Sequence, residues 1–114
     1  MNEERPVYLR LRDRIGAMIL DGKVRDGDAL PSVRTLAADF GANPLTVAKA
    51  YQGFQEDGLV VVKRGVGMFV APGAADRLRS AERKDFLEQR WPEISSHMRR
   101  LGLDVEDLVE RALA

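Results

Sequence analysis

The chain has 114 residues, enough for one domain or for one domain with an appendage, and its 45% hydrophobic and 32% charged content fits a modest core under a solvated surface. It has no cysteine, which excludes disulfides and thiolate metal sites, and its 18 Lys and Arg against 18 Asp and Glu do not announce a nucleic-acid partner. No apolar run approaches the ~20 residues that span a bilayer, and residues 1–7 lack the apolar stretch of a signal peptide, so a cytoplasmic protein is expected.

The charge is also even along the chain, with 10 basic and 9 acidic residues up to Pro72 and 8 and 9 after it. Position therefore has to carry the argument. From Pro6 to Leu20, Val7, Leu11, Ile15 and Met18 follow the rhythm of one helical face. Pro6 suits a first helical turn, where its missing N–H costs nothing, and Asp21-Gly22 ends the helix. Residues 23–31 form a connector punctuated by Gly27 and Pro31.

Ser32 is a good N-cap for a second helix, with Val33, Leu36, Ala37 and Phe40 as its stripe and Gly41 as its stop. Asn43-Pro44 opens a third helix almost at once; Val47, Ala50, Tyr51 and Phe54 line one face and Gly58 closes it. Two short helices joined by a tight turn make a helix-turn-helix. Leu45, Thr46, Lys49 and Gln52 fall off the apolar face, the first two in the opening turn, where a recognition helix places its base-reading residues. Thr46 has a second reading, as a residue that only stabilises that turn.

Residues 59–62 read as a strand, Lys63-Arg64-Gly65-Val66-Gly67 as a turn, and residues 68–71 as the return strand. A hairpin directly after a helix-turn-helix is a wing. Its tip, Lys63, Arg64 and Gly65, is expected at phosphate or in a groove; the plainer alternative is a charged tip guarding strand edges.

These residues resemble the GntR family of bacterial regulators. The resemblance lies in Pro6-Val7-Tyr8, the run from Gly27 to Ala37, the run from Asn43 to Tyr51, Glu56-Asp57-Gly58-Leu59-Val60 and the run from Gly65 to Val70. It implies a DNA-contacting role for Arg34 on the second helix, for Thr46 and Lys49 on the recognition helix, and for Arg64 at the minor groove. Where some members carry arginines on the recognition helix this chain has Pro44 and Ala48, so a readout built on those arginines does not transfer. Only 42 residues follow Pro72, too few to enclose a metabolite, and they resemble the short-tailed YtrA-type branch, whose terminal helices dimerise.

In that remainder Leu87, Trp91, Ile94, Met98 and Leu101 form the longest clean stripe of the chain, passing through Pro92. Two readings follow: one kinked helix, or two helices with Pro92 starting the second. Gly102 breaks the helix, and Asp104 caps a last one through Val105, Leu108, Val109 and Ala112. An arm this short cannot bury the stripe within itself, so Leu87, Trp91, Ile94, Met98, Leu101 and Leu108 are expected at a dimer interface. The alternative is packing against the winged helix of the same chain.

The expected fold is thus mainly α with a small β-hairpin: a winged helix-turn-helix over residues 1–72 and a helical dimerisation arm over residues 73–114. Tyr8 reads either as a core ring or as a hydroxyl given to a phosphate. His97 is a lone imidazole with no second histidine, so no metal is expected, and no cofactor. No phosphate loop or nucleophile constellation argues for an enzyme, and Gly65-Val66-Gly67 lies in a hairpin rather than a strand-to-helix turn. The expected function is a homodimeric repressor on an inverted-repeat DNA operator. Its rival is a winged helix serving as a protein-interaction module. A small effector in the dimer seam, with Trp91 as a wall, fits the first reading but nothing in the sequence indicates one.

Overall fold

In the computed structural model, which describes residues 5–114, α1 spans Val7–Leu20, α2 Val33–Phe40 and α3 Pro44–Glu56. Strands β1 (Val60–Lys63) and β2 (Gly67–Val70) follow, then α4 (Ala74–Asp85), a π-helical turn at Phe86–Arg90, α5 (Trp91–Arg100) and α6 (Val105–Leu113). Residues 1–4, part of the start inspected above for a signal peptide, lie outside the described residues. Among the described residues no helix is long and apolar enough to cross a membrane. The chain divides into two compact units, one ending at Arg79 and one running over Ser80–Ala114.

In the first unit the helix starts are satisfied as their sequence demands. Ser32 Oγ accepts from the Thr35 N–H at 3.1 Å, and Asn43 Oδ1 from the Leu45 N–H at 2.8 Å. Pro6 caps α1 instead of joining its first turn, its carbonyl accepting from the N–H groups of Leu9 (3.0 Å) and Arg10 (3.2 Å). The buried ladder of α1 is Leu11, Ile15 and Ile19, a strict i, i+4, i+8 set. Val7 is 39% exposed and Met18 only half-buried, so two members of the expected stripe sit at its margin.

That ladder, Leu36 and Ala37 of α2, the α3 face of Val47, Ala50, Tyr51 and Phe54, and Val60 and Val70 of the strands make one apolar cluster. The Tyr51 hydroxyl, the one polar group on that α3 face, donates to the Pro31 carbonyl at 2.7 Å.

The exit from α3 fixes the wing. Gly58 takes φ +75°, a left-handed conformation that a side chain would strain. Its N–H reaches the Gln55 carbonyl at 3.0 Å while the Leu59 N–H reaches that of Phe54 at 2.9 Å, a Schellman closure. Leu59 therefore belongs to the helix exit, and the strand begins one residue later than its β-branched run suggests. Val60 pairs with Val70 and Lys63 with Gly67, antiparallel. The connector is not merely a linker. Leu30 N–H bonds the Met68 carbonyl at 2.8 Å and Val70 N–H the Asp28 carbonyl at 2.9 Å, covering the outer edge of β2.

The first unit also extends beyond Pro72. Ala74 and Leu78, 0% and 7% exposed, join its core. Arg77 donates to the Gly58 carbonyl at 2.8 Å and Arg79 to that of Leu20 at 3.3 Å. The compact units accordingly divide between Arg79 and Ser80, not after Pro72.

In the second unit the backbone stays helical through Pro92, with Arg90 at φ −87°, ψ −42° and Trp91 at φ −58°, ψ −42°. Pro92 has no N–H for the Glu88 carbonyl, and its ring crowds that carbonyl. The preceding turn widens instead, the Trp91 N–H reaching back five residues to the Phe86 carbonyl. The chain is neither sharply broken nor regularly α-helical there. α5 closes with Gly102 N–H on the Arg99 carbonyl (3.1 Å) and Leu103 N–H on that of Met98 (2.9 Å). Asp104 and Asp107 form a reciprocal capping box for α6, whose backbone N–H at Asp107 holds the Asp104 carboxyl below its ordinary pKa.

Candidate nucleic-acid interface

The cations of the first unit fall into two groups. Some stitch the fold together: the Arg12 guanidinium lies 5.1 Å from the Phe54 ring centre and 3.6 Å from Asp57, and Arg10 lies 5.8 Å from the Phe40 ring centre. Others are left for a partner. Arg34 on α2 and Arg64 on the wing are exposed, and among the described residues neither has a hydrogen bond, ion pair or ring contact.

The expected recognition residues sit on the opening half of α3. Leu45 is 79% exposed, Lys49 is exposed, and Thr46 is half-buried with its N–H on the Asn43 carbonyl at 3.0 Å. The structure brings Lys49 together with Tyr8, its ammonium 5.3 Å from the ring centre. Tyr8 is half-buried and packs against the core, while its hydroxyl lies 3.4 Å from where a Cβ on Gly53 would stand. The Tyr8 hydroxyl thus lies against α3 at Gly53, a contact between α1 and α3 that the sequence spacing does not reveal.

On the wing, Gly65 takes φ +77° in the turn closed by the Val66 N–H on the Lys63 carbonyl at 2.9 Å. Lys63 leans over Phe69, its ammonium 4.7 Å from the ring centre, which leaves Arg64 as the outward charge of the tip. Val66 beside it is 73% exposed, a feature the sequence reading passed over. Among the described residues no three of His, Cys, Asp and Glu gather as metal ligands.

A helix-turn-helix with a paired wing, free cations on α2 and the wing, and an outward α3 is the arrangement of a DNA-binding winged helix. The family model for bacterial regulatory proteins of the gntR family matches residues 7–70, from the start of α1 to the end of β2. The chain belongs to the GntR family. It is a DNA-binding transcriptional regulator, and the family is one of regulators rather than enzymes.

Among its relatives, the transcriptional repressor YtrA of Bacillus subtilis is 33% identical over 92% of this chain and 80% of its own length. A GntR family regulator from Listeria monocytogenes superposes with a TM-score of 0.74 at 27% identity, over 98% of this chain and 96% of that one. The DNA-binding domain of AraR, in complex with operator ORR3, superposes with a TM-score of 0.56 at 30% identity, over 58% of this chain and 80% of that one. The match to YtrA and to the Listeria protein thus takes in the helical arm as well as the winged helix.

Of the residues expected at the dimer interface, Leu87, Ile94, Leu101 and Leu108 are 56%, 38%, 62% and 40% exposed in the single chain. Trp91 is half-buried and Met98 is buried. Phe86, 41% exposed in the widened turn, is a further apolar side chain on the surface of this unit, and a reading at α-helical spacing does not find it.

Proposed function

We propose that this GntR regulator is a cytoplasmic repressor that binds an inverted-repeat operator as a homodimer. The unit ending at Arg79 holds DNA, with α3 in the major groove, Arg34 and Tyr8 on phosphates and the wing tip at Lys63, Arg64 and Gly65 against the adjoining groove. The helices of Ser80–Ala114 hold the second copy. The observation that carries this reading is the apolar surface of the arm, with Leu87 and Leu101 more than half exposed. Water around such side chains costs about 25 cal/mol per Å², and a closed two-fold pair is the commonest way to remove it. Two-fold symmetry in the protein calls for two-fold symmetry in the operator. YtrA, similar along the arm too, is named as a repressor, and the operator complex of AraR supports duplex DNA as the partner.

Fluorescence anisotropy with duplexes covering the gene's own promoter tests this reading. One fragment should bind with nanomolar affinity that falls steeply with salt, as released counterions require, and should compete over unrelated fragments. Equal, weak binding to every fragment would refute it.

A further inference from the structure

We propose that α3 recognises thymine, through apolar contact between the Leu45 side chain and the 5-methyl group in the major groove. The proposal rests on the reading of α3 as the base-facing helix and adds to it which chemical group is read. Leu45 is 79% exposed in the opening turn of α3, whereas Val47, Tyr51 and Phe54 of the same helix are 0%, 2% and 2% exposed. It contributes nothing to the core and places an isobutyl group in water, which is unfavourable until a partner covers it.

Its neighbours have the same character. Pro44 and Ala48 are also exposed, and on a helix residues three and four apart adjoin, so Pro44, Leu45 and Ala48 together make a small apolar patch at the leading end of α3, beside the half-buried Thr46. Further along the helix, the Gln52 amide donates to Glu56 at 3.3 Å and Lys49 leans on Tyr8. Bidentate reading of guanine or adenine needs an Arg, Lys, Asn or Gln at the groove; of the two that flank the patch, Asn43 has its Oδ1 on the Leu45 N–H at 2.8 Å as the helix cap and Lys49 has its ammonium over the Tyr8 ring. Among base edges in the major groove the one apolar group is the thymine methyl. A patch of this size and chemistry at the leading end of a recognition helix fits that group.

The test uses the full chain and duplexes it selects from a random-sequence pool, resynthesised with deoxyuridine replacing thymidine at one position at a time. This change removes the methyl group and leaves base pairing intact. The expected result is one thymine in each half-site at which uracil weakens binding about fourfold, the worth of one buried methyl-sized group. Leu45→Ala, with an unchanged melting temperature, should bind thymine and uracil versions alike, while Leu45→Met should keep the preference. Uracil equal to thymine at every position, or the same penalty persisting in Leu45→Ala, overturns the assignment and leaves the operator reading standing. A pool that enriches no sequence overturns the operator reading itself, and the assignment with it.

Discussion

The Tyr51 hydroxyl donates to the carbonyl of Pro31 across 2.7 Å, tying the middle of α3 to the residue just before the Ser32 cap of α2. The angle between the two helices of the motif is thus held by a polar contact at the edge of an apolar core. Tyr51→Phe removes the donor and leaves the Pro31 carbonyl without it, at a cost of about 1–2 kcal/mol. For a unit of this size the melting temperature should fall by about 4–8 °C for each kcal/mol. Thermal melts followed by circular dichroism check this, and an unchanged midpoint would remove the tie from the account.

The same hydroxyl gives the fold an alkaline limit. Burial pushes the Tyr51 pKa up from 10.0 to about 12. Because the unfolded chain releases this proton more readily than the folded one, the contribution is whole below a pH of about 10. It is lost as pH rises through about 12. Urea midpoints should therefore decline over that window in the wild-type protein and decline less in Tyr51→Phe. Parallel curves for the two proteins would contradict the assignment.

What the sequence disclosed and what it hid divide on physical lines. Caps and stops are local, so Ser32, Asn43, Gly58 and Asp104 announced their helices, and α3's buried face followed from its spacing. Contacts between distant residues left no local trace. The bonds from Asp28 and Leu30 to β2 look like a linker in sequence, and Ala74 and Leu78 look like the start of an arm although they complete the winged-helix core. Of the site, Leu45 was legible as an off-face residue and Arg64 as part of the wing tip, Arg34 entered through the family resemblance, and all three stand exposed. The stacking of Lys49 on Tyr8 and the widened turn before Pro92 depend on geometry that spacing does not encode.

Arg34→Ala and Arg64→Ala should each weaken operator binding and leave the melting temperature within the shift of about 0.5 kcal/mol typical of surface changes. Both side chains are exposed, and neither has a partner among the described residues, so their removal orphans nothing in the fold. If each meets a phosphate, the slope of log affinity against log salt should flatten by about one per arginine. Anisotropy titrations at several salt concentrations measure this directly. A clear drop in melting temperature, or an unaltered slope and affinity, would count against these contacts.

The division of the chain after Arg79 makes the dimer proposal testable by truncation, provided the cut is placed correctly. Ending the chain at Pro72 removes Ala74 and Leu78 from the core, together with the bond from Arg77 to the Gly58 carbonyl, so that fragment should melt well below the full-length protein. Ending it at Arg79 keeps those contacts and removes the exposed apolar helices. The longer fragment should be a folded monomer in analytical ultracentrifugation at micromolar concentration, and the full chain a dimer. Because linking two modules raises avidity by roughly 10²–10⁴, the fragment should bind one half-site weakly and lose its preference for the intact inverted repeat. Within the full chain, Leu101→Glu places a charge where a side chain 62% exposed in the single copy is expected to be covered in the pair. It should dissociate the dimer while the thermal transition of the winged helix stays in place. A full-length protein that sediments as a monomer and binds the operator as tightly as before would leave the arm without the role proposed for it.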